Sequence, residues 1–361
     1  MTTDIVQFGT SRFLQAHADL FFSESDPPRG VTVVQSSGDP VRARRLAALA
    51  DPAGYPVRIR GLRGGHRIDE TRTVTSVTRT LSTATEWTAV AKAVRDARMI
   101  LSNTGDAGFD PRAADAGFGP PQSMSYPGKL RHLLRARFES GGDPLPIFPM
   151  ELIRNNGQVL RERVLHLAVD DTVEFQDWLS RCQWTDSLVD RIVSEPIDPA
   201  GAVAEPYALW AIRQAPGLAA PADHPAIVLT DNLERFERLK LHILNLGHTV
   251  LAHRWREIGA PDGALVRDWI AGPEGERLMS LMQAEVLPGF AAAGMAEDAA
   301  EYLATTLERF ANPFIDHRIA DISENHAQKL QRRIGAFLEW VRKHDQGFAA
   351  PRLAAILSEN G

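Results

Sequence analysis

The hydrophobic rhythm of this chain changes once, near Asp231, and that change fixes most of what it can fold into. Before it, short β-branched runs alternate with stretches of helical spacing. Residues 5–8 and 31–35 read as strands; residues 13–22 and 41–50 have helical spacing, the second rich in Arg and Ala. Strand, helix, strand, helix predicts a parallel α/β sheet with crossover helices. Residues 55–62 and 66–77 alternate on either side of Gly64-Gly65, a hairpin inserted into that scheme. Residues 86–97, 129–139, 159–168 and 173–181 read as helices, and 99–103, 145–150, 188–193, 207–212 and 227–230 as strands. From 233 to 358 the pattern is almost wholly helical, broken at Gly259-Ala260-Pro261, Gly272-Pro273, Asn312-Pro313 and Pro351. The expectation is an α/β domain over residues 1–231 and an all-helical domain over residues 232–361.

Length and charge narrow the function classes. With 361 residues there is room for two cores. The net charge of −6 is spread over interspersed acids and bases, with no basic tract to follow a phosphate backbone, so nucleic acid is not an expected partner. A single cysteine, Cys182, excludes an internal disulfide and a multi-thiolate metal site; it reads as a small buried side chain. Met1-Thr2-Thr3-Asp4 runs straight into the first strand without the pattern of a secretory leader, and no apolar run reaches membrane-spanning length. A cytoplasmic protein with no membrane partner is expected.

One stretch of the helical half concentrates chemistry. Leu239-Lys240-Leu241-His242-Ile243-Leu244-Asn245-Leu246-Gly247-His248 is apolar apart from its lysine, asparagine and histidines, and Glu237 stands one turn earlier. On a helical wheel with Lys240 at the origin, Glu237 falls near ~60°, His248 near ~80° and Asn245 near ~140°. A base, a carboxylate, an amide and an imidazole share one flank. A lysine in a segment patterned for burial is costly and calls for a reason. His242 lies about 240° from His248, so the two cannot share an ion, and no His-x-x-x-His or Cys-x-x-Cys spacing occurs. No metal is expected.

The turn after the first strand, Gly9-Thr10-Ser11-Arg12-Phe13-Leu14, stands where a dinucleotide-binding fold places its glycine-rich loop. Only the first of the usual three glycines is present; Ser11 and Leu14 occupy the other positions. An ordinary βα turn accounts for it equally well. The second strand ends Gln35-Ser36-Ser37-Gly38, without the usual carboxylate for a ribose 2′-hydroxyl; Asp39, Arg42 and Arg44 follow. Polar residues and arginines suit a 2′-phosphate, and a solvated helix face uses the same residues. NAD and NADP both stay open.

Several blocks, in order along the chain, resemble the mannitol dehydrogenase family of long-chain polyol and uronate dehydrogenases, and its uronate branch most. They are Gln7-Phe8-Gly9 with Phe13; Ser102-Asn103-Thr104; Ser125-Tyr126-Pro127-Gly128-Lys129-Leu130; Glu151-Leu152-Ile153 with Asn156-Gly157; Leu188-Val189-Asp190-Arg191-Ile192; Glu205-Pro206 with Trp210; Lys240 with Asn245 and His248; and Asn312-Pro313-Phe314 leading to Asp316-His317-Arg318. The resemblance implies a Rossmann-like N-terminal domain, a helical C-terminal domain and a metal-independent active site. It matches the family's catalytic lysine to Lys240, its polar helpers to Asn245 and His248, and its proton-gating glutamate to Glu237. The cofactor-binding set it suggests is Gly9, Ser11, Arg12, Phe13, Gln35, Ser36, Asn103 and Thr104, holding NAD with NADP not excluded. Where the polyol branch has a Cys-Asp-Asn segment, this chain has Met150-Glu151-Leu152.

The implied reaction is hydride transfer between a nicotinamide and a sugar acid, interconverting a tagaturonate-like ketouronate and an altronate-like aldonate. A base within hydrogen-bond reach must take the hydroxyl proton; Lys240 serves if its surroundings bring its pKa toward neutrality. Asn245 and His248 stabilise the oxygen as charge builds. Glu237 either links Lys240 to solvent or simply pairs with it. Arg318, His317 and Glu151 are the expected substrate contacts, a guanidinium being suited to a carboxylate; Asp316 and Arg318 capping or pairing at a helix start is the plainer alternative. Alternative activities are those of a fructuronate reductase or a mannitol-type polyol dehydrogenase. A non-catalytic nucleotide- or sugar-acid-binding protein on the same scaffold, and a non-redox isomerase with a held cofactor, are the rivals from other classes.

Overall fold

The computed structural model describes residues 3–117 and 121–358, and these divide into two compact units. The first runs to Leu233 but leaves out Arg60–Asp69 and Glu205–Tyr207; the second comprises those two segments and everything from Glu234 onward.

Thirteen strands are assigned among the described residues: β1 Thr3–Phe8, β2 Gly30–Gln35, β3 Tyr55–Arg63, β4 His66–Val74, β5 Val77–Ser82, β6 Met99–Ser102, β7 Pro146–Pro149, β8 Gln183–Trp184, β9 Ser187–Asp190, β10 Val193–Pro196, β11 Ala202–Ala204, β12 Leu209–Arg213 and β13 Ile227–Thr230. Six of them form the main sheet in the order β5-β2-β1-β6-β7-β8, all parallel. Such sheets are covered on both faces, which is why their strands are continuous apolar runs; every residue of β2 and β6 is buried. One face packs on Val90, Val94, Leu130, Leu133, Leu134, Leu160 and Val164 from the crossover helices Trp87–Asp96, Tyr126–Glu139 and Asn156–Leu167. Cys182 is buried in this layer, and burial pushes its thiol up to about 11, as befits an inert packing residue.

The strand order reverses at β1: the chain works outward through β2 to β5, then returns to the other side for β6. Such a reversal leaves a crevice at the carboxyl ends of the central strands. The hairpin belongs to a separate sheet, β10-β11-β3-β4, and β9, β12 and β13 make a third. The expected hairpin strand 66–77 is interrupted: β4 stops at Val74, and the chain re-enters the main sheet as β5, parallel to β2. The expected helix 41–50 is two short pieces, Pro40–Ala43 and Leu46–Leu49.

The helix after β1 changes pitch. Arg12–Leu14 is α-helical, Gln15–Asp19 widens into a π turn, and Leu20–Glu24 resumes the α form. Asp19 is wholly buried and accepts a hydrogen bond from Tyr55 Oη at 2.7 Å. Burial raises its carboxyl to about 7, against 3.8 for an ordinary aspartate, outweighing the Tyr55 hydrogen bond. The folded protein therefore keeps this proton where the unfolded chain loses it. Stability should fall as pH rises from about 4 to about 7 and level off above. Asp19→Asn retains an acceptor for Tyr55 and cannot ionise, so its melting temperature between pH 5 and 8 should fall less steeply than that of the parent. Equal slopes would mean that Asp19 does not titrate there.

The second unit has one helical core, with Ile243, Leu246 and Leu251 against Leu278, Val286, Phe290, Ile334 and Phe337. Three further π turns, Lys240–Asn245, Met282–Val286 and Gln331–Gly335, interrupt its helices.

Candidate active site

At the switch point of the first unit, the loops after β1, β2 and β6 surround a cavity of about 410 Å³. It is lined by Gly9, Thr10, Ser11 and Arg12 from the first loop, Gln35, Ser36 and Ser37 from the second, and Asn103, Thr104 and Gly105 from the third, with Arg45 and Pro196. Seven of the eight residues expected at the cofactor thus share one cavity. Phe13 is not among its lining residues; its ring stacks on His17 at 4.1 Å.

The loops are braced from within. Gly9 N–H donates to Val34 O at 3.0 Å, and Asn103 N–H to Phe8 O at 2.9 Å. Gly9 has φ +130°, and a Cβ there would lie 2.4 Å from Asn103 O, so only glycine permits this approach of the first and third loops. That cradle fits a dinucleotide, whose pyrophosphate needs close backbone contact. Ser11 caps the following helix, its Oγ accepting from Leu14 N–H at 3.4 Å. Gln35 is held between Ser82 Oγ and Asp39 O. Asn103 Nδ2 donates to Met150 O at 2.8 Å.

Glu151 is wholly buried, and both of its oxygens are engaged inside the protein. Thr104 N–H and Oγ1 reach Oε1 at 3.0 and 3.2 Å, and Ser102 Oγ reaches Oε2 at 3.1 Å. Burial raises its pKa despite those bonds. Glu151, expected as a substrate contact, thus braces the third loop of the cavity.

Lys129 belongs to the Ser125-Tyr126-Pro127-Gly128-Lys129-Leu130 segment. It lies almost completely buried beneath the second loop, its Nζ donating to Ser36 O at 2.5 Å. Thr83 Oγ1 and Gln122 Nε2 reach the same carbonyl, each at 3.2 Å. Desolvation and the neighbouring Arg112 bring the lysine down to about 8.

In the second unit, Lys240 and Asn245 are the ends of one π turn. A π turn brings residue i+5 closer to the side of residue i than the ~140° that α-helical spacing gives for this pair. Lys240 is half-buried rather than fully buried, as are Asn245 and Glu237. His248 follows on the resumed α-helix Leu246–Glu257 and is buried. Its ring meets His317 edge-on at 4.6 Å and Phe310 at 4.3 Å, and its Nε2 has no hydrogen-bond partner among the described residues. His242 faces elsewhere, stacked on Trp340 at 5.8 Å.

Burial, then the charges of His317, Arg333, Arg309 and Lys329, hold His248 well below the ordinary imidazole range; burial also lowers His317. Both rings are therefore neutral near pH 7. Arg333 Nη1 donates to Asn245 O at 3.2 Å and Thr249 Oγ1 at 3.0 Å. Desolvation brings that guanidinium down to about 10. Lys329, also lowered by desolvation, donates to Ile322 O. Arg318 is exposed at the start of the short helix Ile319–Ile322, and Asp316 pairs with Arg267. The structure thus joins His317 to His248 and adds Lys329 and Arg333 to their surroundings, while Arg318 stays on the surface.

A crevice at the switch point of a parallel sheet, closed by a glycine turn, places the first unit in the dinucleotide-binding class. Comparison with known sequences narrows this. Residues 3–222 match the mannitol dehydrogenase Rossmann domain and residues 232–358 the mannitol dehydrogenase C-terminal domain. Altronate oxidoreductases of Bacillus subtilis (strain 168) and of Escherichia coli O1:K1 / APEC are each 30% identical over 365 residues, covering 91% of this chain and 73% of theirs. Among solved structures, a D-sorbitol dehydrogenase in substrate-free form aligns with TM-score 0.81 at 18% identity, over 100% of this chain and 80% of its own. A Pseudomonas fluorescens mannitol 2-dehydrogenase, solved with NAD and D-mannitol, aligns with TM-score 0.74 at 17% identity, over 100% and 79%. The chain belongs to the mannitol dehydrogenase family, and its activity is that of a dehydrogenase.

Proposed function

We propose that the protein interconverts a ketouronate and an aldonate with a nicotinamide dinucleotide, Lys240 acting as acid and base. The observation that carries this reading is the cationic setting of the Lys240–Asn245–His248 flank. Arg333 touches it directly, and Lys329 and Arg309 act on His248 through their charge. A carboxylate substrate gains from that field, whereas a neutral polyol does not. The family relatives named altronate oxidoreductase support the same substrate class.

The nicotinamide, when bound, supplies or accepts the hydride. Gly9, Ser11, Ser36, Asn103 and Thr104 would hold the dinucleotide, their loops fixed by Glu151 and Lys129. In the direction of reduction, Lys240 gives its proton to the oxygen on which negative charge develops; in oxidation it takes the proton back. Neutral His248, with Nε2 protonated, donates a hydrogen bond to that oxygen, and Asn245 Nδ2 can do the same. A histidine already protonated would compete with Lys240 for the proton-donor role, so the depressed basicity of His248 suits a donor that does not exchange its proton. Glu237, one turn from Lys240, connects the amine to solvent.

The test is a panel of tagaturonate, fructuronate and fructose, each with NADH and NADPH, followed by absorbance loss at about 340 nm. Tagaturonate should exceed neutral fructose in kcat/KM by about a hundredfold or more, corresponding to roughly 3 kcal/mol from a charge-assisted contact. A preference for fructose would overturn the sugar-acid assignment. Dinucleotide binding without turnover of any of the three would point to a binding protein.

A further inference from the structure

We infer that His242 and Arg333 are positioning residues for the reaction: together they lock the Lys240–Asn245 π turn in register, and so set where the Lys240 amine and the Asn245 amide stand. This rests on the reading of Lys240 as acid and base.

A π turn is a rare, single widened turn inside a helix. One that carries reacting groups needs support from outside its own backbone. Arg333 supplies it at two places. Its Nη1 donates to Asn245 O, at the end of the turn, at 3.2 Å, and to Thr249 Oγ1 at 3.0 Å. Thr249 Oγ1 in turn donates to the same Asn245 carbonyl at 3.0 Å. The backbone carbonyl of Arg333 meets His242 Nδ1, within the turn, at 3.0 Å. Arg333 itself belongs to the π turn Gln331–Gly335, which packs against the first. One residue thus grips both the middle and the end of the turn that bears the chemistry.

His242 is built for this contact. It is wholly buried, with its ring stacked on Trp340. A carbonyl only accepts, so Nδ1 carries the proton; Arg238 Nη1, 3.3 Å from Nε2, only donates, so Nε2 accepts. Both ring nitrogens are engaged and one tautomer is fixed. Burial brings the imidazole down to about 4 against the pull of the Arg333 carbonyl, and the charge of Arg238 adds to the fall. The ring is therefore neutral near pH 7 and contributes geometry rather than charge. Arg238 is held in turn by Glu234, whose Oε1 accepts from Nε at 3.1 Å and Nη2 at 2.5 Å. Hydrogen bonds run in one direction, from Arg238 through His242 and Arg333 to Asn245. His242 stands two residues after Lys240, about 200° round a helical wheel, so replacing it takes nothing from the reacting flank. Without the grip, the segment is free to return to regular spacing, which turns Asn245 toward ~140° from Lys240.

The experiment uses two neutral polar replacements in the full chain. His242→Asn keeps an amide N–H where Nδ1 stands and gives up the contact with Arg238. His242→Gln reaches toward Arg238 as Nε2 does and gives up the bond to Arg333 O. Turnover of tagaturonate is followed with the nicotinamide dinucleotide that supports it, alongside thermal melting. In His242→Gln, kcat should fall about 10–10²-fold, the effect of a misplacement near 1 Å, with KM little changed. His242→Asn should keep most of the parent rate, although each variant loses one hydrogen bond and both should melt alike. Equal kcat in the two variants, whether kept in both or lost in both, overturns the positioning role. If His242→Gln does not fold by circular dichroism, Thr249→Val is the second test, since it removes the hydroxyl shared by Arg333 and Asn245. Its kcat should fall at unchanged KM, and a parent-like kcat overturns the inference. Lys240→Ala separates the two levels. If it stays active, the acid–base reading falls and this inference with it; if it is inactive while the His242 variants behave alike, only the positioning role falls.

Discussion

Replacing Lys240 by alanine is expected to lower kcat by about 10²–10⁴-fold with little change in the unfolding midpoint. The separation of the two effects follows from where the side chain sits. Lys240 is half-buried at the start of a π turn, so its loss leaves a space that water can enter. Nothing comparable to a core cavity forms. The apolar positions that hold this helix, Ile243, Leu244 and Leu246, are untouched. The loss should appear equally in kcat and kcat/KM, because a proton donor stabilises the transition state and not the bound ground state. A small primary amine added to the assay should restore part of the rate by entering the vacated space; ethanol, of similar size and without basicity, should not. Near-normal turnover in Lys240→Ala would remove this residue from the mechanism. A parallel loss of stability would recast it as structural.

How visible this site is in the sequence depends on which of its features are local. The alternation of strands and helices before Asp231 follows from short-range patterning. The dinucleotide turn is marked by one glycine whose role needs only its own φ and the approach of Asn103. The flank of Lys240, Asn245 and His248 is visible as polar residues in an apolar helix. Its true geometry is not, because apolar spacing cannot distinguish an i,i+4 turn from an i,i+5 turn. A regular wheel puts Asn245 at the far edge of the flank, about 140° from Lys240, and does not show the π turn that the two residues bound. Lys329 and Arg333 lie more than 80 positions from Asn245, in a stretch that reads like any solvated helix face. Only the tertiary fold turns Arg333 onto the Asn245 carbonyl. Glu151 is the converse case: the block containing it is distinctive, but the hydrogen bonds from Thr104 to its carboxylate are not readable there. A carboxylate's partners are not encoded next to it.

Glu205→Ala should destabilise the protein by about 3–5 kcal/mol, a loss readable as a shift in the urea midpoint. Glu205 and Arg309 are 1% and 4% exposed, and their charges meet at 2.8 Å. Arg309 Nε reaches both carboxylate oxygens at 3.1 and 3.0 Å, and its Nη1 reaches Tyr302 Oη at 3.3 Å. The guanidinium also lies over the Tyr207 ring at 4.6 Å. Removing the carboxylate leaves this cation buried without its counter-charge. The surrounding segments have no slack to relieve it. Gly61 abuts Pro206, where a Cβ would lie 2.5 Å from Pro206 Cδ, and Arg63 donates to Pro206 O at 2.7 Å. Asn312 Nδ2 donates to Arg60 O at 3.1 Å, and Glu308 accepts from the N–H groups of Gly64 and Gly65. The hairpin tip and the Glu205–Tyr207 segment are thus anchored to the helix Ala296–Phe310 and the turn that follows it, which is why they belong to the second unit. If the penalty comes from the uncompensated charge, the double variant Glu205→Leu with Arg309→Met should recover most of the lost stability, since an apolar pair of similar volume often matches a buried ion pair. If the double variant is as unstable as Glu205→Ala, the hydrogen-bond geometry rather than the charge is what holds this segment.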